Sequence, residues 1–79
     1  MKIKEVTYQK CQYGSDYIAI FLNRQIAYIN WSSKGYRLND INLPGIKNVL
    51  DEFFNTPKEA VEYLKETVIP ASINQMMDD

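Results

Sequence analysis

The sequence predicts an α+β fold: a four-stranded antiparallel β-meander followed by two or three helices packed on one face. Three observations carry this. Apolar residues alternate with a period of two in several short runs before residue 40, each run bounded by a turn signal. The period then changes to a helical one after Leu43-Pro44-Gly45. Finally, Thr56-Pro57-Lys58-Glu59 has the chemistry of a helix start. At 79 residues the chain is predicted to form one small domain, with the sheet in 1–43 and the helices in 44–79.

Residues 3–8 read as a first strand, and Tyr13-Gly14-Ser15-Asp16 as the turn into a second strand at 17–22. The third strand is predicted at 25–31. Ser32-Ser33-Lys34-Gly35 then reverses the chain into a short fourth strand at 36–39. Connections this short join antiparallel neighbours.

The hairpin of strands two and three is apolar on both faces. A turn at Asn23-Arg24 sets Ile18, Ile20 and Leu22 on one face, opposite Ala27 and Ile29. Tyr17, Ala19 and Phe21 then share the other face with Ile26 and Tyr28. A one-sided sheet carries polar residues on its outer face, so an apolar outer face points to a partner or a second copy.

In the second half, Ile46, Val49, Leu50, Phe53 and Phe54 fall at i, i+3, i+4, i+7 and i+8, which predicts a helix over 46–54. The Thr56 cap predicts another, with Ala60, Val61, Leu64 and Val68 as its buried stripe. Pro70 is expected to break or restart it, because proline supplies no N–H. The predicted core sets Ile18, Ile20, Leu22, Ile29 and Trp31 against Ile46, Leu50, Phe53, Val61 and Leu64.

Composition narrows the chemistry. A hydrophobic fraction of 46% and an aromatic fraction of 13% suffice for a packed core, which argues against disorder. The chain has no histidine, so the commonest general base and metal ligand is missing. Cys11 is the only cysteine, which leaves no disulfide framework and no thiolate cluster. Three glycines at 14, 35 and 45 cannot form a phosphate-cradling loop. The expectation is a protein that is not an enzyme, with no catalytic residues, no cofactor and no metal.

The net charge is −1, but it is divided unevenly. Residues 1–37 hold six lysines and arginines against two carboxylates, and residues 38–79 hold three against eight. The N-terminal residues form no apolar stretch of the secretory kind, and no run reaches membrane-spanning length. A cytoplasmic protein without a membrane partner is therefore expected.

The segment Asp16-Tyr17-Ile18-Ala19-Ile20-Phe21 feeding a hairpin, after a meander opened by Met1-Lys2-Ile3-Lys4 and before a helical half, resembles small phage-encoded CRISPR inhibitors in size and order of elements. That resemblance implies a stoichiometric inhibitor that binds a defence complex by surface contact.

The functional expectation is a protein-interaction module. Tyr17, Phe21, Ile26 and Tyr28 are the first candidate contact residues, for another protein or a second copy of the chain. The acidic helix side, Asp51, Glu52, Glu59, Glu62 and Glu66, is the second, suited to a basic partner. An alternative is single-stranded nucleic acid on an aromatic sheet face ringed by Arg24, Lys34 and Arg37.

Overall fold

Five antiparallel strands in sequential order form one sheet, and a single helix crosses one side of it. The structure is a computed structural model and describes residues 5–12 and 16–77. The strands are β1 (Thr7–Lys10), β2 (Tyr17–Phe21), β3 (Arg24–Ser32), β4 (Gly35–Asn39) and β5 (Phe53–Phe54). The α+β class holds, with five strands and one helix in place of four strands and two or three helices. Of the predicted first strand, Ile3 and Lys4 lie outside the described residues, as do Tyr13, Gly14 and Ser15 of the first turn.

The β2–β3 turn is Leu22-Asn23, one residue earlier than predicted, with both residues at positive φ (54° and 63°). Moving a two-residue turn by one position shifts the pairing by two residues, so that change alone leaves the faces as they were; the faces are exchanged by a bulge further along the ladder. Phe21 now pairs with Arg24, Ala19 with Ala27, and Tyr17 with Ile29. The register shifts once, between Ala19 and Ile20, so Ile26 is the extra residue of a bulge. Ile26 and Ala27 are consequently both buried.

Residues 46–54 do not form a helix. The chain leaves β4 and hydrogen-bonds to its neighbours instead: Asn42 N–H to Ile26 O (2.8 Å), Ile41 N–H to Asn48 O (3.0 Å) and Leu50 N–H to Leu38 O (3.3 Å). It then pairs with β4 as β5, Phe54 opposite Tyr36 and Phe53 opposite Arg37. Ile46, Leu50 and Phe54 still pack against the core, so the apolar spacing serves a loop that wraps the sheet. β5 lies inside the stretch predicted to be helical.

The helix, α1, covers residues 57–77 without a break. It is α-helical over Pro57–Tyr63, π-helical over Leu64–Val68 and α-helical again over Ile69–Met77. Pro70 therefore does not end it. The π segment, in which Ile69 N–H reaches back to Leu64 O, widens the turn just before the proline ring. That widening relieves the clash a proline makes with the preceding turn. The N-terminus is built as predicted: Thr56 Oγ1 accepts from Glu59 N–H at 3.2 Å, with Pro57 in the first turn. Thr56→Ala is expected to cost about 1 kcal/mol, a fall of roughly 5 °C in the thermal midpoint measured by circular dichroism.

The core lies between α1 and the sheet. Ala19, Ala27, Ile29 and Leu38 supply the sheet side, and Ala60, Val61, Leu64, Val68 and Ile69 the helix side. Tyr17, Phe21, Tyr36 and Phe54 pack around it. A Lys65–Glu5 ion pair at 3.1 Å joins α1 to the chain ahead of β1, with Glu5 mostly in water. An ion pair so exposed adds little stability.

Candidate docking surface

The pairing register fixes what each face of the sheet carries. Residues directly opposite share a face, and neighbours along a strand do not. Tyr17, Ala19 and Phe21 of β2 thus join Ala27, Ile29, Leu38 and Phe54 on the helix side. The second face carries Ile18, Ile20, Gln25, Tyr28, Asn30, Arg37, Asn39 and Phe53.

This overturns the face assignment at three predicted contact residues. Tyr17 and Phe21 are half-buried against the core, and Ile26 is only 5% exposed within it. Tyr28 alone stays on the outer face. Ile18 and Ile20, predicted as core, take the vacated places. They are half-buried and are not among the residues packed against the core cluster. Leu22 and Trp31, also predicted as core, are 56% and 52% exposed. Trp31 lies against Tyr36 at the end of the sheet, with ring centroids 5.6 Å apart.

Gln9 stands opposite Ile18, Ile18 opposite Tyr28, and Tyr28 opposite Asn39, so one row crosses four strands. Asn30 lies two residues along β3. Its Nδ2 donates to Asp16 Oδ2 at 2.9 Å, while Asp16 Oδ1 accepts Trp31 N–H at 2.9 Å. The amide oxygens of Asn30 and Asn39 are shielded from water and have no hydrogen-bond partner among the described residues. Asparagine is disfavoured in strands, and an unpaired buried oxygen costs about 1–3 kcal/mol.

One end of this face is basic and aromatic. Lys34 Nζ and Arg37 Cζ each lie 5.9 Å from the centre of the Phe53 ring, which is 40% exposed. They border a shallow cleft of about 290 Å³ with Asn30, Ser32 and Ser33, and no carboxylate lines it. Phe53 reaches this place through β5, which the helical reading of 46–54 missed.

The acidic candidates are all exposed but differ in setting. Glu59, Glu62 and Glu66 run along the outer side of α1. Asp51 and Glu52 sit in the non-helical segment before β5. Among the described residues, no three metal-binding side chains converge, and no helix is long and apolar enough to cross a membrane. Cys11 is half-buried.

Set beside known protein families, curated proteins and solved structures, the chain matches none of them.

Proposed function

We propose that this protein acts without catalysis, by docking the open face of its sheet onto another protein. The observation that carries the reading is the group of Ile18, Ile20 and Tyr28, largely apolar side chains on the face of the sheet opposite α1. Full burial of an exposed apolar side chain contributes on the order of 1.5–3 kcal/mol, and these half-buried ones contribute only part of that each, which offsets part of the cost of association. Arg37 and Lys34 at one end make an acidic partner surface the complementary one. With the resemblance to small phage-encoded CRISPR inhibitors, the specific form of the proposal is an inhibitor that occludes a defence complex.

The test is phage plating on a bacterial strain carrying CRISPR immunity against that phage. The wild-type chain is expected to restore plating. Ile20→Lys and Tyr28→Lys are expected to abolish the rescue while the thermal midpoint stays near that of wild type, and Glu62→Lys is expected to retain it. No rescue by the wild type overturns the inhibitor form, and loss with Glu62→Lys alone moves the surface to α1. Two further measurements bear on the occupant. A dimer in sedimentation that Ile20→Lys abolishes assigns the face to a second copy. Salt-sensitive retention of oligothymidine, lost in Arg37→Gln, assigns it to single-stranded nucleic acid, the reading favoured by the cations over Phe53.

A further inference from the structure

We propose that a second cleft, on the helix side of the sheet, binds an anionic amphiphile: a carboxylate with an unbranched apolar chain. The cleft opens between the β2–β3 turn, the segment at 42–44 and the C-terminal half of α1. Its volume of about 440 Å³ lies within the range of small-molecule sites. Phe21, Leu22, Ile26, Leu43, Ile69 and Ile73 make most of the wall. Among the described residues that line it, Arg24 is the one charged residue, and none is a carboxylate. An apolar slot with a single cation at its rim is complementary to a tail that ends in an anion.

Two features show that the cleft is built. The wall at 42–44 is tied down at both ends, by Asn42 N–H to Ile26 O at 2.8 Å and by Ser72 Oγ–H to Pro44 O at 2.6 Å. Ser72 is itself 2% exposed, so its one hydrogen bond braces the loop against α1. The bulge at Ile26 turns an additional large side chain toward this side of the sheet.

Leu22 supplies the second, independent observation. It occupies the left-handed region at φ 54°, where asparagine and glycine are favoured and an L-aliphatic residue is strained. It also leaves 56% of its surface in water. Leucine is thus a poor choice for the turn on both conformational and hydration grounds. As an apolar lip to the cleft, it is a good one.

The experiment follows backbone amide signals by NMR while sodium decanoate is added to the full chain, with decylamine and acetate as comparators. Decanoate is expected to move signals saturably at residues 21–26, 42–44 and 69–73. Acetate, lacking the tail, and decylamine, carrying the wrong charge, are expected to move them little. Arg24→Gln is expected to weaken decanoate about fivefold, the scale of one exposed charge contact. Leu22→Asn is expected to weaken it roughly tenfold and yet raise the thermal midpoint by a few degrees, because asparagine accepts the turn geometry. Equal binding of decylamine, shifts spread over the whole chain, or decanoate binding unchanged in both variants overturns the proposal.

Discussion

Truncating Leu64 to alanine is expected to cost about 3 kcal/mol, read as a lower urea midpoint with the slope of the transition unchanged. Leu64 is fully buried where α1 meets the sheet. On the sheet, Ala19 and Ala27 stand opposite one another with no exposed surface. The truncation leaves a cavity in a close-packed core, so the cost includes lost contacts as well as lost burial. Leu64 also begins the π segment, where its carbonyl accepts the Ile69 N–H. Whole-protein stability for a chain of this length is roughly 4–12 kcal/mol, so the variant loses a large share of it. Leu64→Met, which keeps the volume, is expected to cost less than about 1.5 kcal/mol. A loss below about 1 kcal/mol in Leu64→Ala would show that the helix does not rest on the sheet at this point.

The three central strands were legible because their local signals agreed with the final structure, whereas the first, read at 3–8, is found at Thr7–Lys10. Alternation placed β2, β3 and β4 to within about a residue, and the Thr56 cap placed the start of α1. Which face is covered was not legible, and the reason is a single residue. The extra residue at Ile26 changes the parity of the pairing, so Tyr17 and Ala19 stand opposite Ile29 and Ala27 under the helix, whereas an unbroken ladder from either turn sets Ile18 and Ile20 on that side. Leucine is not a residue that positive φ selects, so the sequence pointed one position too late. The bulge then moved Ile26 inward as well, which strict alternation forbids.

The helical reading of 46–54 failed for a different reason. A nine-residue helix is marginal alone and depends on packing for its stability. Here the edge of β4 offers backbone partners to Leu50, Phe53 and Phe54, and the same apolar residues still reach the core from an extended chain. Periodicity registers which residues are buried but not the backbone that buries them. At the candidate surface, Tyr28 was found from the sequence and Ile18 and Ile20 were assigned to the wrong side. Phe53 was assigned to the core, because its place depends on β5. Among the described residues the one helix packs on one face of the sheet, as the count of helical residues suggested.

Gly35→Ala is the substitution expected to test how β5 is held. Gly35 opens β4 at φ +120°, a conformation that side-chain-bearing residues rarely adopt, and it stands directly opposite Ser32. The more severe constraint comes from across the sheet. A Cβ on residue 35 would lie 2.6 Å from Phe54 O and 3.4 Å from its carbonyl carbon. Both atoms are backbone, so no rotamer change relieves the contact, and either β4 must change its φ or β5 must lift away. Backbone strain of this kind costs about 1–3 kcal/mol, and the steric displacement adds to it. The expected loss is therefore about 3 kcal/mol, measured in urea. It should be accompanied by faster hydrogen exchange in β5 than in the β2–β3 hairpin, because the damage is confined to the sheet edge. Lifting β5 also withdraws Phe53 from Lys34 and Arg37 and Phe54 from Tyr63, whose ring centroid lies 5.3 Å away. The variant consequently separates the two ends of the open face. Contacts made through Ile18, Ile20 and Tyr28 should persist, while those made through the basic, aromatic end should weaken. If β5 exchanges no faster than in the wild type and the midpoint is unmoved, the close approach of Gly35 to Phe54 is not what fixes that edge.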